Sequence, residues 1–159
     1  MTMVLSLGVN KKRIAAVIAL VAIVVCAFLF IPDKPEPPVY YAMTNDERLA
    51  FLSSFGWVLE EEPADVREIV IPAEFSDVYT AYNDMQRAQG FDLEPYAGEK
   101  CTQYRYIVTN YPDCTDTVIA TLLVMEDVIV GGDIASEAAD GFMHGFAPDS
   151  AAFEMPNNN

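Results

Sequence analysis

One histidine, three cysteines, the run Glu60-Glu61-Glu62 and the step Gly131-Gly132-Asp133 are the features of this chain that could do chemistry. His144 lies in Asp140-Gly141-Phe142-Met143-His144-Gly145-Phe146, where an imidazole beside an acid could move a proton near neutral pH. Acyl-transfer chemistry would also need a nucleophile and an orienting acid, and no Gly-x-Ser-x-Gly or comparable motif supplies them. The expectation is a loop histidine tucked against a sheet between Phe142 and Phe146, in a chain that is not an enzyme. Zinc is not expected either, because one histidine and no Cys-x-x-Cys pair leave the usual ligand spacing unfilled. Glu60 to Glu62 with Asp65 could gather oxygen ligands, yet the ordered twelve-residue calcium loop is missing, so a solvated acidic loop is expected. Gly131-Gly132-Asp133 lacks the longer glycine pattern and the lysine of a phosphate loop, which leaves a bulge or a close backbone approach. No catalytic, cofactor-binding or metal-binding residue is assigned, and no cofactor is implied.

A disulfide between Cys101 and Cys114 would need their Cα atoms within about 7 Å. If residues 102–109 form a strand, Cys101 sits roughly 25 to 30 Å from the turn near Cys114. The geometry therefore argues against the bond.

These residues lie downstream of an unbroken apolar run from Ile14 to Ile31, preceded by Lys11, Lys12 and Arg13. As a helix the run reaches roughly 27 Å, close to the hydrocarbon thickness of about 30 Å. It is longer than the apolar region of a secretory signal and ends in Phe28-Leu29-Phe30-Ile31, so a retained anchor is expected rather than a cleaved signal. Cations before the span place the amino terminus in the cytoplasm and the remainder outside the cell membrane. The expected organisation is a short basic cytoplasmic end over 1–13, a transmembrane helix over 14–31, a Pro-rich stalk over 32–42, an extracytoplasmic domain over 43–146 and a loosely ordered tail over 147–159. Pro32, Pro35, Pro37 and Pro38 favour extended polyproline geometry in the stalk.

From Met43 onward 5 Lys and Arg face 22 Asp and Glu, a net of −17. Such a charge repels nucleic acid, so no nucleic-acid partner is expected.

Thr44-Asn45-Asp46-Glu47 matches a capping box and opens a helix carrying Leu49, Leu52 and Phe55, which Gly56 ends. Trp57 to Leu59 and Arg67 to Ile71 read as strands separated by the acidic run and Pro63. Pro72 suits the first turn of a second helix, with Phe75, Val78, Tyr79, Tyr82 and Met85 on one face and Gly90 as its cap. Thr102 to Thr109 alternates as a strand with one wet face, whereas Val118 to Met125 is apolar on both parities. Val128 to Val130 returns after Glu126-Asp127. The expected fold class is α+β, a small mainly antiparallel sheet in the order α-β-β-α-β-β-β with helices packed on one face.

The segments Asn45 to Leu52, Ile71-Pro72-Ala73-Glu74-Phe75, Gln89-Gly90-Phe91-Asp92-Leu93, Tyr106 to Pro112 and Asp140 to Gly145 resemble a family of single-span bacterial proteins, chiefly from clostridia and relatives. That family is catalogued as domain of unknown function 4830. The similarity covers most of Thr44 to Phe146, with the blocks in the same order. It implies a basic amino terminus, one span and this domain, and it implies no activity or site residue. Cys101 with Cys114 and the glycine-free turn Glu126-Asp127 depart from the family pattern. Two functions remain. One is a noncatalytic module that docks an envelope or membrane protein through its sheet face or the loops at Tyr96 and Tyr111. The other is a small-ligand or cation sensor signalling through a membrane partner.

Overall fold

The computed structural model describes residues 20, 21 and 38 to 154. Two units divide the chain, Met1–Glu36 and Pro37–Asn159, and the fold below belongs to the second. The readings on residues 1–13, on the span 14–31 apart from Leu20 and Val21, and on the stalk before Pro38 lie outside the described residues. Among the described residues no helix is long and apolar enough to cross a membrane.

The capping box forms as its residues dictate. Thr44 Oγ1 accepts from the Glu47 amide at 3.2 Å, and the Thr44 amide donates to Glu47 Oε2 at 2.9 Å. Helix α1 then runs Asn45–Ser53 and Gly56 follows it at φ +92°, in the left-handed region that favours glycine. Strand β1 is Asp65–Val70, helix α2 Asp77–Ala88, β2 Lys100–Val108, β3 Val118–Met125, β4 Val128–Ser136 and β5 Met143–His144. The strands pair in sequence order into one antiparallel five-stranded sheet.

β3 is buried along nearly its whole length on both parities, so both faces of the sheet need cover. Val118, Ala120, Leu122 and Val124 pack in one cluster with Phe51 and Leu52 of α1. Leu123 packs on the other side with Ile71, Leu93, Cys101 and, from α2, Tyr79 and Tyr82. The helices thus cover opposite faces, which corrects the expectation of one helical face. A strand apolar on both parities cannot be covered from one side.

Four further expectations are corrected. Residues 57–59 form no strand; Leu59 makes a single bridge to Val108, and Glu61, Glu62 and Pro63 separate it from β1 on the same edge of β2. α2 begins at Asp77, not at Pro72, because the Ser76 hydroxyl accepts from the Tyr79 amide and caps the helix there. β4 continues through Gly131-Gly132 to Ser136, and a fifth strand is added at 143–144. The segment after Ala147 is tied to that strand as far as Phe153: Ala152 bridges His144 and the Phe153 amide donates to the Met143 carbonyl at 2.7 Å. The β3–β4 turn has φ +48° at Glu126 and +63° at Asp127, the two positive angles that match a tight hairpin to strand twist.

Candidate functional site

The residues that organise this domain's loops are polar side chains on the inner face of α2. Asn83 and Gln86, one turn apart, are its two fully buried residues. A buried amide without partners is costly, so each is bonded to backbone. Gln86 Oε1 accepts from the Gly132 amide at 2.9 Å while Gln86 Nε2 donates to the Gly132 carbonyl at 3.0 Å. Gln89 Nε2 donates to the same carbonyl at 2.8 Å, and its Oε1 accepts from the Phe146 amide.

The outer edge of β4 is therefore closed in three pieces. Tyr40 accepts from the Ile129 amide, two glutamine side chains take the place of a strand at Gly132, and β5 pairs Ile134 and Ala135. Only glycine fits at position 132. A Cβ there would lie 2.0 Å from the Thr121 carbonyl oxygen and 2.6 Å from the Phe146 ring, at φ +152°. The Gly-Gly step is thus a close approach beside a bulge, where the register shifts at Leu123/Val124.

Asn83 performs the second task. Its Oδ1 accepts from the Leu93 amide at 2.7 Å and its Nδ2 donates to Asp92 at 2.9 Å, fixing the loop that follows α2. Arg87 gathers Asp84 at 3.6 Å, Asp92 at 3.3 Å and Glu94 on the outside of that loop. The bond from Asn83, with Arg87 behind it, holds the Asp92 carboxyl below its usual range. The loop so fixed, with its 3₁₀ turn Glu94–Tyr96, forms one side of an open cleft of about 420 Å³. Phe91, Pro95 and Tyr96 line it together with Pro38 and Val39, the start of β4 and the charged pair Arg87 and Asp92.

A third buried polar group faces α2 from the sheet. Asp133 is 5% exposed and accepts from the Tyr82 hydroxyl at 2.9 Å. Burial pushes its carboxyl up to about 6, against the bond from Tyr82 and the attraction of Arg105. Burial and then Asp133 raise the Tyr82 hydroxyl well above its ordinary value.

Of the residues singled out from sequence, Gly132 and Asp133 belong to this arrangement, and the histidine and the cysteines lie elsewhere. His144 is buried; its Nε2 lies 3.0 Å from the Tyr111 hydroxyl and its Nδ1 2.7 Å from the Gly145 carbonyl. The carbonyl can only accept, so Nδ1 donates to it, and in the neutral imidazole Nε2 is then the acceptor for the Tyr111 hydroxyl. Trp57, Tyr111 and Phe142 rings surround it, with Trp57 stacked on Tyr111 at 5.4 Å. It sits against the sheet near Phe142, as the sequence implies, but within β5 rather than a loop. Cys101 and Cys114 are free thiols, one buried in β2 and the other past the far end of that strand. Among the described residues no group of three His, Cys, Asp or Glu side chains could hold a metal ion.

A family model catalogued as domain of unknown function 4830 matches residues 51–134, from within α1 to within β4. The chain belongs to that family. The 4830 match encloses Asn83, Gln86, Gln89, Gly132 and Asp133 but not Phe146. No curated protein and no solved structure matches the chain significantly.

Sequence reasoning missed Asn83 and Gln86, because polar residues on a helix are first assigned to its solvated side; it named Gly131-Gly132-Asp133 as a bulge or close approach without foreseeing the burial of Asp133. The available signal was their spacing: Asn83 and Gln86 flank Tyr82 and Met85 on the apolar stripe rather than standing opposite it.

Proposed function

We propose that this domain is a noncatalytic interaction module, held at the cell membrane by residues 14–31 with its amino terminus in the cytoplasm, that docks an envelope or membrane protein. The cleft beside Tyr96 carries the reading. Its walls are mostly apolar and aromatic, and the two charges among them, Arg87 and Asp92, are already paired with each other, so an apolar side chain can enter without stripping an unpaired charge of water. Both sheet faces are occupied by helices, which directs docking to loops rather than to the sheet. Of the two loops named from sequence, the one at Tyr96 is favoured, because Tyr111 is engaged with Trp57, Phe142 and His144. A photoactivatable residue at position 96 of the full-length chain, used in intact source cells, should capture one reproducible protein. The same group at Glu74, exposed before α2, should not. Equal capture at both positions, or none at 96, would remove the cleft reading.

The sensor reading can draw on a hollow of about 280 Å³ between the end of α2 and residues 150–152. Its lining includes Met85, Ala88 and Ala151 and no carboxylate, which suits a small apolar ligand and not a cation.

A further inference from the structure

The sheet has two open edges, and they differ in kind. At the β1 edge the side chains are charged: Asp65 lies 3.4 Å from Arg67, and Glu68 is bonded by Lys100 at 2.6 Å. Charges on an edge strand discourage a further strand from pairing there. The other edge is the stretch from Val39 to Met43, which lies along the start of β4 as a short strap. Tyr41 bridges Val128, and around it the Ile129 amide donates to the Tyr40 carbonyl at 2.9 Å and the Ala42 amide to the Asp127 carbonyl at 2.8 Å. In that antiparallel pattern the N–H and C=O of Tyr41 point away from the sheet. Among the described residues neither has a backbone partner.

The side chains of the strap alternate. Ala42 is 1% exposed and Tyr40, its ring 4.9 Å from Phe51, is 38% exposed, while Val39, Tyr41 and Met43 are 59, 64 and 65% exposed. Nothing on this row guards the edge, since it carries no charge and no proline. The strap is also held rigid. Arg48, buried with no carboxylate within ion-pair distance among the described residues, donates to the Ala42 carbonyl at 2.7 Å and to the Tyr106 hydroxyl at 2.8 Å, with its guanidinium 3.9 Å from the Tyr104 ring. A strand template fixed in advance loses little freedom when a partner pairs with it.

From this we infer that the strap is a strand-addition site. Its occupant is an extended segment of a partner protein, with apolar residues at alternate positions and lysine or arginine between or beside them. Main-chain bonds to Tyr41 supply the pairing, and Val39, Tyr41 and Met43 receive the alternate apolar side chains. The cationic requirement follows from the exposed acids near the strap: Asp46, Glu47, Glu126 and Asp127 all stand at the surface, whereas Arg48 is buried. The inference rests on the interaction reading and adds to it the partner's chemistry. Val39 belongs to both the strap and the cleft, so one partner segment can occupy both.

The test uses the full-length chain and a labelled peptide of alternating valine and lysine. Binding should be saturable and weaken with salt. Tyr41→Pro removes the outward N–H together with the ring, at an edge position where proline is tolerated because the N–H faces solvent, and should weaken binding at least tenfold. Tyr41→Thr keeps the N–H and should weaken it only a few-fold, while Val66→Pro, at an outward N–H of the β1 edge, should leave it unchanged. Equal binding by the parent chain and Tyr41→Pro, loss in Val66→Pro to the same degree, or no saturable binding would overturn the inference. So would dimerisation of the chain through Tyr41, which would assign the edge to a second copy. Capture of a protein at position 96 together with indifference to Tyr41→Pro would leave the cleft reading standing and remove strand addition alone.

Discussion

The two faces of the sheet are each covered by one helix, but different chemistry holds each helix in place. On the α1 face one buried cation, Arg48, bonds the Tyr106 hydroxyl, and the other contacts are aromatic and aliphatic: Phe51, Phe55, Phe91 and Phe146 meet edge to face or tilted at 5.0 to 6.4 Å, over Leu122 and Ile134. On the α2 face the deepest groups of the helix are amides, and an acid looks up at them from β4. Apolar contact is non-directional and tolerates small shifts, whereas an amide paired to one peptide group fixes both position and rotation. The α1 face should therefore dominate the stability of the fold and the α2 face its register, including the placement of the cleft loop.

The largest effect should come from breaking the apolar face. Phe146→Ala empties a fully buried site that touches three other rings and should cost about 3 to 5 kcal/mol, read as a lower urea midpoint at unchanged slope. A loss below about 1 kcal/mol would mean that the cluster does not carry the fold.

The next effect is electrostatic and belongs to the α2 face. Asp133 has its folded value raised to about 6 from the ordinary 3.8, so the folded state holds that proton more tightly than the unfolded chain does. Its contribution is fully present below pH about 4 and is lost as pH rises through about 6, to a ceiling of roughly 2 to 3 kcal/mol. Asp133→Asn should flatten that part of the stability curve. Equal slopes for the two chains between pH 4 and 6.5 would show that the carboxyl is not held in a dry site.

Gln86→Ala leaves the Gly132 amide without its partner and should cost about 1 to 3 kcal/mol. Its amide hydrogen exchange should accelerate locally at Gly132 and Phe146 more than in β2; a uniform acceleration would deny the α2 face its role in register. The smallest effect is Thr44→Ala, which removes one member of the capping box and should cost about 1 kcal/mol without touching either face.

Much of the sheet was legible in the chain. The capping box at Thr44, the both-parity apolar run of β3 and the glycine stop at Gly90 each follow from local rules and stand where those rules put them. The side of each helix was not legible, because an amphipathic stripe says that a helix is covered and not by which face of a sheet. Nor was the length of β4. Gly131-Gly132 weakens a strand by propensity, and only the neighbouring Phe146 ring and Thr121 carbonyl show why no larger residue could stand there. The candidate cleft was visible from sequence only as its loop at Tyr96. The strap at Tyr41 was read as part of the stalk, because a partner strand more than eighty residues away leaves no local signal.

By itself the sequence determined the elements with short-range causes: caps, turns, alternation, the acidic balance and the family to which the chain belongs. The tertiary structure alone decided which polar residues are buried, which edge of the sheet is guarded and where the cleft opens. The physical reason is distance. Caps and periodicities act within a turn or two of chain, but the partners of Gln86, Asp133, Arg48 and Tyr41 are other elements, and a side chain or backbone group acquires its meaning only when folding brings those elements within bonding reach.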